Sequence, residues 1–370
     1  MAKKRYKKQD IGSFFGNMIY DRIVPQDHFL RKLAAIIPWQ QFAELLVKFY
    51  MGGAMYGRPP YNPVMLLKML VISYLYNLSA RQTEQQVTEN LPMKWFVGLA
   101  VDEPAPHHST INKFNQRLIK NGGINAFEEM LTTIVHMAQE AGVEFGSIQA
   151  IDSVHTVADV NTAKEKGRGK EGKPPRDEDA AWGVKGAKRV RDDSGKLVKI
   201  KKRFHGYKAH ASLNTGSELI TSLTVTPGNA YDGHQLPALL KRDLEKGIPI
   251  EIVTADRGYD DGENHYFLQT KGIHSAIILN RYRTQKKDSN KEIWFELKAS
   301  DAYQQGIQER YKVERKFGEG KQGHGLSRCR YLGLSRFAVQ AFMTVIALNL
   351  KRMVKLLTNT NFRGRATANA

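Results

Sequence analysis

Cysteine is nearly absent: Cys329 is the single one in 370 residues. No intramolecular disulfide can form, and the expectation is a protein of a reducing, cytoplasmic compartment. Acidic residues are scarce beside basic ones, 37 against 56, for a formal net charge of +19. An excess of that size points to a polyanionic partner, nucleic acid before membrane surface. Long apolar runs are missing too. The strongest are "VMLLKMLVISYLYNL", interrupted by Lys68, and "FAVQAFMTVIALNL", interrupted by Gln340. Both fall short of the ~20 residues of a membrane span and read as core helices. The basic start "MAKKRYKKQD" is not followed by an apolar signal core. No internal repeat occurs.

What is present suffices for more than one core. Hydrophobic residues make up 41% of the chain, and 370 residues exceed one ordinary domain. Residues 1–140 read as helical. Pro63 suits the first turn of a helix, Ser79 an N-cap with Pro92 ending that segment, and Ser109 an N-cap for "TINKFNQRLIKNGG". A helix, the short "MKWFVGL" and a further capped helix resemble a helix-turn-helix in outline. The last helix offers Lys113, Gln116 and Arg117, types suited to base edges and phosphates. A plain helical bundle with a polar outer face fits the spacing equally well.

Near residue 145 the period changes. "FGSIQAIDSV", "HGYKAHASLN" and "LITSLTVT" read as strands, followed by helix, strand ("PIEIVTAD"), helix, strand ("HSAIILN") and a helix over 301–318. That order predicts an α/β fold with a mixed sheet. Residues 161–203, rich in Lys, Gly and Pro, read as a basic surface excursion between the first two strands. The stretch "NRYRTQKKDSNKEIWFELK" reads as strand and loop.

Three acids stand out in so basic a chain. Asp152 lies in an apolar strand, where a carboxylate is a poor strand former and costly to bury unpaired. Asp256 follows the carboxyl end of a buried strand, where open α/β sheets place ligands. Glu314 lies on the last of these helices, with Arg310 four residues before it. Brought together, the three would repel unless cations joined them, and oxygen-only ligands suit Mg²⁺ or Mn²⁺. Singly, each has an ordinary reading: a turn cap for Asp152, a pair with Arg257 for Asp256, a helical pair with Arg310 for Glu314.

With "IDS" at Asp152, "TADRGYD" at Asp256, and Arg310, Glu314 and Lys321 spaced Arg, three residues, Glu, six residues, Lys, the sequence resembles the DDE transposases of bacterial insertion sequences. The group is the broad one containing insertion sequences four and five. "HGYKAH", "VTPGNAYDGHQL" and the stretch from "YNPVMLLKML" to "HHSTINKFNQRL" are also family-like, so the resemblance spans roughly residues 40–350. The tyrosine that opens the family's helix signature is replaced here by Ile307.

The resemblance implies an RNase H-like mixed-sheet catalytic core over 141–350, behind a helical DNA-binding and dimerisation region over 1–140 and before a basic tail over 351–370. It implies a Mg²⁺-dependent enzyme, with Mn²⁺ able to substitute. Such an enzyme binds terminal inverted repeats, cleaves, and joins 3′-hydroxyl ends to target DNA as a homodimer in a synaptic complex, in the bacterial nucleoid. Asp152, Asp256 and Glu314 would hold the metal, and Arg310 and Lys321 would contact phosphates. Trp294 could stack on a base, although a core tryptophan is the simpler reading. His107, His108, His205 and His210 have no zinc spacing with a thiolate and read as structural or DNA-facing. The alternatives are an RNase H-like nuclease or resolvase without strand transfer, and an inactive DNA-binding regulator.

Overall fold

The structure, a computed structural model, describes Tyr6 and residues 14–50, 59–191, 194–280 and 291–362. It divides into two compact units. One comprises residues 1–143 with 342–370, and the other residues 144–341.

The first unit is helical: α1 (Phe14–Ile23), α2 (Phe29–Ile36), α3 (Gln41–Tyr50), α4 (Pro63–Leu75), α5 (Ala80–Glu89), α6 (Leu91–Val97), α7 (His108–Gly122) and α8 (Asn125–Glu140). Asn62 caps α4 by accepting from the Val64 N–H at 2.9 Å, and Pro63 occupies the first turn. Apart from Lys68, every α4 residue is buried, as a core helix apolar on all sides requires. Ser79 and Gln82 form a reciprocal capping box at the start of α5. Two caps differ from the sequence reading. Pro92 sits in the first turn of α6 instead of ending α5, because Asn90 closes one helix and caps the next. His107, not Ser109, caps α7.

The second unit is built on one mixed sheet of β1 (Ile148–Val157), β2 (Ala181–Arg191), β3 (Leu197–Asn214), β4 (Ile220–Pro227), β5 (Ile252–Ala255) and β6 (His274–Ile277). β4, β3 and β1 are antiparallel neighbours, and β1, β5 and β6 run parallel. With the helices around it, this is the RNase H-like core. The sheet is covered on both faces, so its parallel strands are buried on both sides. Along β5, Val253 and Ala255 face Leu236, Leu239 and Leu240 of α10 (Leu236–Glu245) and Leu268 of α11 (Gly262–Thr270). Ile252 faces Tyr303 of α13 (Asp301–Glu309), together with Ala276. The approach of α13 is close. A Cβ on Gly306 would stand 2.4 Å from Ala276 Cβ and 3.0 Å from Ile252 Cγ2, so only glycine fits there.

Several sequence expectations are revised. The excursion at 161–203 carries regular structure: helix α9 (Thr162–Lys170), then a ribbon in which β2 pairs with the first half of β3. Helix α12 (Lys291–Ala299) stands where strand and loop were expected, while residues 281–290 lie outside the described residues. The expected helix over 301–318 is two, α13 and α14 (Tyr311–Gly323), joined at Arg310. The expected tail begins as helix. α15 (Leu334–Thr358) runs through it, and Phe362 beyond packs edge-on against Phe29 (4.9 Å) and Tyr76 (5.1 Å) in the helical unit. By length and composition α15 could cross a membrane, but 89% of its most apolar window is buried within the protein.

Candidate active site

Strand pairing sets the geometry. Ile148 pairs with Ile252 and Ile151 with Ala255 across parallel β1 and β5, so Asp152 and Asp256 leave neighbouring strands at the same level. The two-residue period of a strand puts both on the side of Ile148 and Ile252, the side covered by α13. The chain continues from α13 through Arg310 into α14, which carries Glu314.

The three carboxylates act on one another. Burial, and next the charge of Asp256, push the Asp152 carboxyl up to about 7. Glu314 adds to that push, and the Ser153 N–H and Arg310 oppose it. The Ser153 N–H donates to Asp152 Oδ1 at 2.7 Å. The Asp256 carboxyl is also raised, first by burial, against the Gly258 N–H that donates to its Oδ1 at 2.8 Å. Glu314 is half-exposed, and its Oε1 lies 2.7 Å from Arg310 Nη1. Arg310 is therefore a cation shared by all three acids. Glu314 is thus a helical ion-pair partner of Arg310 and at the same time a charge that acts on Asp152 and Asp256.

Lys321 lies seven residues after Glu314 on one continuous helix. The helix expected to end at residue 318 continues beyond it, since α14 runs through Gly318 and Gly320. Seven residues are nearly two turns, so Glu314 and Lys321 share a face. The Lys321 ammonium lies within electrostatic range of Asp152 and Lys185. Burial and Lys185 lower its pKa, while Asp152 raises it. His155 belongs to the same neighbourhood, pushed down to about 4 by burial and by Lys321, Lys185 and Lys208. The sequence reading did not single out Lys185. It lies within the basic excursion, and only the pairing of β2 on β3 brings it to the site.

An oxygen-only set of acids of this kind suits a hard divalent cation. A Cβ on Gly258 would stand 2.9 Å from Asp256 Oδ1, so any side chain there would crowd that carboxylate.

A family model described as a Transposase DDE domain matches residues 149–350, more than half of the chain. The chain belongs to the DDE transposase family. A second model, described as a Transposase domain (DUF772), matches residues 18–117 of the helical unit. Among solved structures, the transposase is similar to the piggyBac transposase synaptic complex with hairpin DNA. The identity is 12%, covering 90% of this chain and 74% of that one, with a TM-score of 0.39. It is also similar to the Mos1 transposase paired-end complex with left transposon end, at 10% identity over 74% and 82% of the two chains, with a TM-score of 0.20. Both scores are too low to equate individual residues. Membership makes the chain a DNA transposase whose family works with divalent metal.

The other sequence-selected residues of the transposase lie elsewhere. Lys113, Gln116 and Arg117 are exposed on α7, whose opposite face buries Ile111, Phe114 and Leu118. Trp294 is partly buried on α12 with its ring edge-on to His265 at 5.1 Å, the surroundings of a packing residue. The exposed tryptophan is Trp182, on the ribbon, with Lys166 Nζ 5.4 Å from its ring. His107, His108 and Glu84 bring ligand atoms within 4.8 Å of one another. Glu84 Oε2 already accepts from the His108 N–H at 2.8 Å and meets His108 Nδ1 at 2.7 Å, which ties α5 to α7.

Proposed function

We propose that this transposase binds the terminal inverted repeats of its own insertion sequence, cleaves there, and joins the freed 3′-hydroxyls to target DNA. The observation that carries the reading is the convergence of Asp152, Asp256 and Glu314 around Arg310, with Lys321 further along the same helix face. Asp152, Asp256 and Glu314 hold Mg²⁺, or Mn²⁺ in its place. A divalent ion held by these acids would supply activation of the attacking oxygen and charge stabilisation of the leaving oxygen in an in-line phosphoryl displacement.

The chain's own residues position the DNA. Arg310 and Lys321 contact phosphates beside the scissile bond, where orientation and charge neutralisation carry most of the rate. Lys185 extends this positive surface onto the ribbon. One ribbon face carries Arg189, Arg191, Lys199 and Lys201, since Arg189 pairs with Lys199 and Ala187 with Lys201. Lys113, Gln116 and Arg117 on α7 read the repeat. Two copies of the chain bring two ends together in the synaptic complex, in the nucleoid of a bacterial cytoplasm.

The deciding experiment incubates the protein with DNA flanking its own gene and Mg²⁺, and maps the product ends. Cleavage at the repeat boundary followed by joined 3′ ends is expected. Cleavage without joining would indicate a nuclease or resolvase, and binding alone a regulator.

A further inference from the structure

One uninterrupted strand, β3, runs from the acid site to the far end of the ribbon. Ala211 pairs with Asp152, and residues directly opposite each other in an antiparallel pair share a face of the sheet. Side chains alternate along a strand, so Arg203, Lys201 and Lys199 continue the face of Asp152. The register shift between Val184 and Ala187 puts its extra residue on β2, which leaves the alternation of β3 intact. The partner strand adds Arg189, opposite Lys199, and Arg191, opposite Leu197, to the same face. The other face has Val190 opposite Val198 and Lys188 opposite Ile200.

The basic face lies open. Every residue from Val184 to Arg191 and from Leu197 to Arg203 is exposed. A two-stranded ribbon left to itself is only marginally stable. This one is weakened further, because Arg189 stands directly opposite Lys199 and neither strand contains an acid. An anion laid across that face would remove the repulsion. The root of the ribbon, in contrast, is tightly packed. A Cβ on Gly183 would strike the Gly228 carbonyl, and one on Gly206 the Thr156 carbonyl of β1.

Length along β3 then says which part of a duplex the ribbon meets. From Ala211, His205 is six residues away and Lys199 twelve, or about 20 Å and 40 Å at the ~3.3 Å rise of a strand. Those lengths correspond to about 6 and 12 base pairs at the ~3.4 Å rise of duplex DNA. Trp182, opposite His205 and 41% exposed, marks the nearer point, with Lys166 Nζ 5.4 Å from its ring.

We infer that the ribbon is an arm that holds duplex DNA about 6–12 base pairs to one side of the scissile phosphate, through Arg189, Arg191, Lys199, Lys201 and Arg203. The inference rests on the transposase reading proposed above and names the segment of DNA that this surface takes. It also sets a minimum length of duplex on that side of the cleavage point.

The test is fluorescence anisotropy of the full chain with duplexes carrying the terminal repeat and its flank, either long or trimmed to about 5 base pairs on one side of the cleavage point. The double variant Lys199→Gln/Lys201→Gln is expected to bind the long duplex roughly tenfold more weakly than the wild type, with a salt slope lower by about two. That deficit should persist when one side is trimmed and disappear when the other is. The melting temperature should be unchanged or higher, since a like-charge pair is relieved. A deficit of equal size on all three DNAs would place the ribbon beside the scissile phosphate, and no deficit on any would place it away from DNA. Either result overturns this inference while the transposase reading stands. A wild type that does not prefer the repeat over random duplex would remove both. Should the double variant not fold, Trp182 decides: long duplex should quench the fluorescence that Trp182→Phe removes, and an unquenched Trp182 overturns the inference by itself.

Discussion

Arg310 and Glu314 face each other one helical turn apart, Nη1 to Oε1 at 2.7 Å, and the same guanidinium acts on Asp152 and Asp256. An ion pair this exposed contributes only about 0.3–0.5 kcal/mol. Such a contribution is too small to make Glu314 a structural necessity. Glu314→Gln should therefore melt within about 2 °C of the wild type, lose metal-dependent cleavage, and bind duplex DNA as well or slightly better. Melting curves, a cleavage assay and a binding titration check the three parts. Loss of folding would return Glu314 to the role of helical partner.

Asp152 sets a pH dependence of the metal-free protein. Its carboxyl releases its proton at about 7 in the folded state, against 3.8 for the ordinary side chain. Between those values the folded form binds more protons than the unfolded chain, so raising the pH removes stability, and the loss is complete above about pH 7. Asp152→Asn cannot ionise. In EDTA it should melt higher than the wild type at pH 8, and the gap should close as the pH falls towards 4. A gap that stays constant across that range would show that Asp152 is not ionising against burial and its acidic neighbours.

Gly318 lies inside α14, and a Cβ there would meet nothing within 4 Å. Glycine in a helix interior costs roughly 0.5–1 kcal/mol relative to alanine. Gly318→Ala should raise unfolding stability by about that amount, measured by urea denaturation. A destabilised variant would mean that the segment needs the looser backbone a loop provides.

Lys321→Ala should slow cleavage and reduce the slope of log affinity against log salt by about one phosphate contact. Lys185→Ala on the ribbon should reduce the slope similarly. An unchanged slope in either variant would place that side chain away from the DNA.

Lys113, Gln116 and Arg117 separate specificity from affinity. Their alanine variants should weaken binding to the terminal repeat more than to random duplex, by about 1–3 kcal/mol wherever a base edge is read. Equal losses on both DNAs would mean that α7 touches only the backbone.

Parts of the site are legible in one dimension because their signals are local. An aspartate inside "QAIDSV" or closing "IVTAD" contradicts the apolar composition that the strand around it requires, and such contradictions concentrate at functional sites. The spacing of Arg310, Glu314 and Lys321 needs only the helical period. Lys185 gives no such contradiction, as one lysine among many in a basic stretch.

By itself the sequence determined the short apolar runs that build β1 and β5, the helical character of the first unit, the basic charge that calls for a polyanion, and the acids placed where acids are disfavoured. Each of these follows from side-chain chemistry within a few residues. The tertiary structure alone decided that α14 stays helical through Gly318 and Gly320. There, packing of Val313, Phe317 and Gly320 outweighs a weak local propensity. It also decided that residues 342–358 join the helical unit, that Lys208 and His210 of β3 meet Asp232, and that Lys185 of the ribbon comes within electrostatic range of His155 and Lys321. Those meetings depend on strand order and register, which join residues far apart in the chain, and no local propensity encodes them.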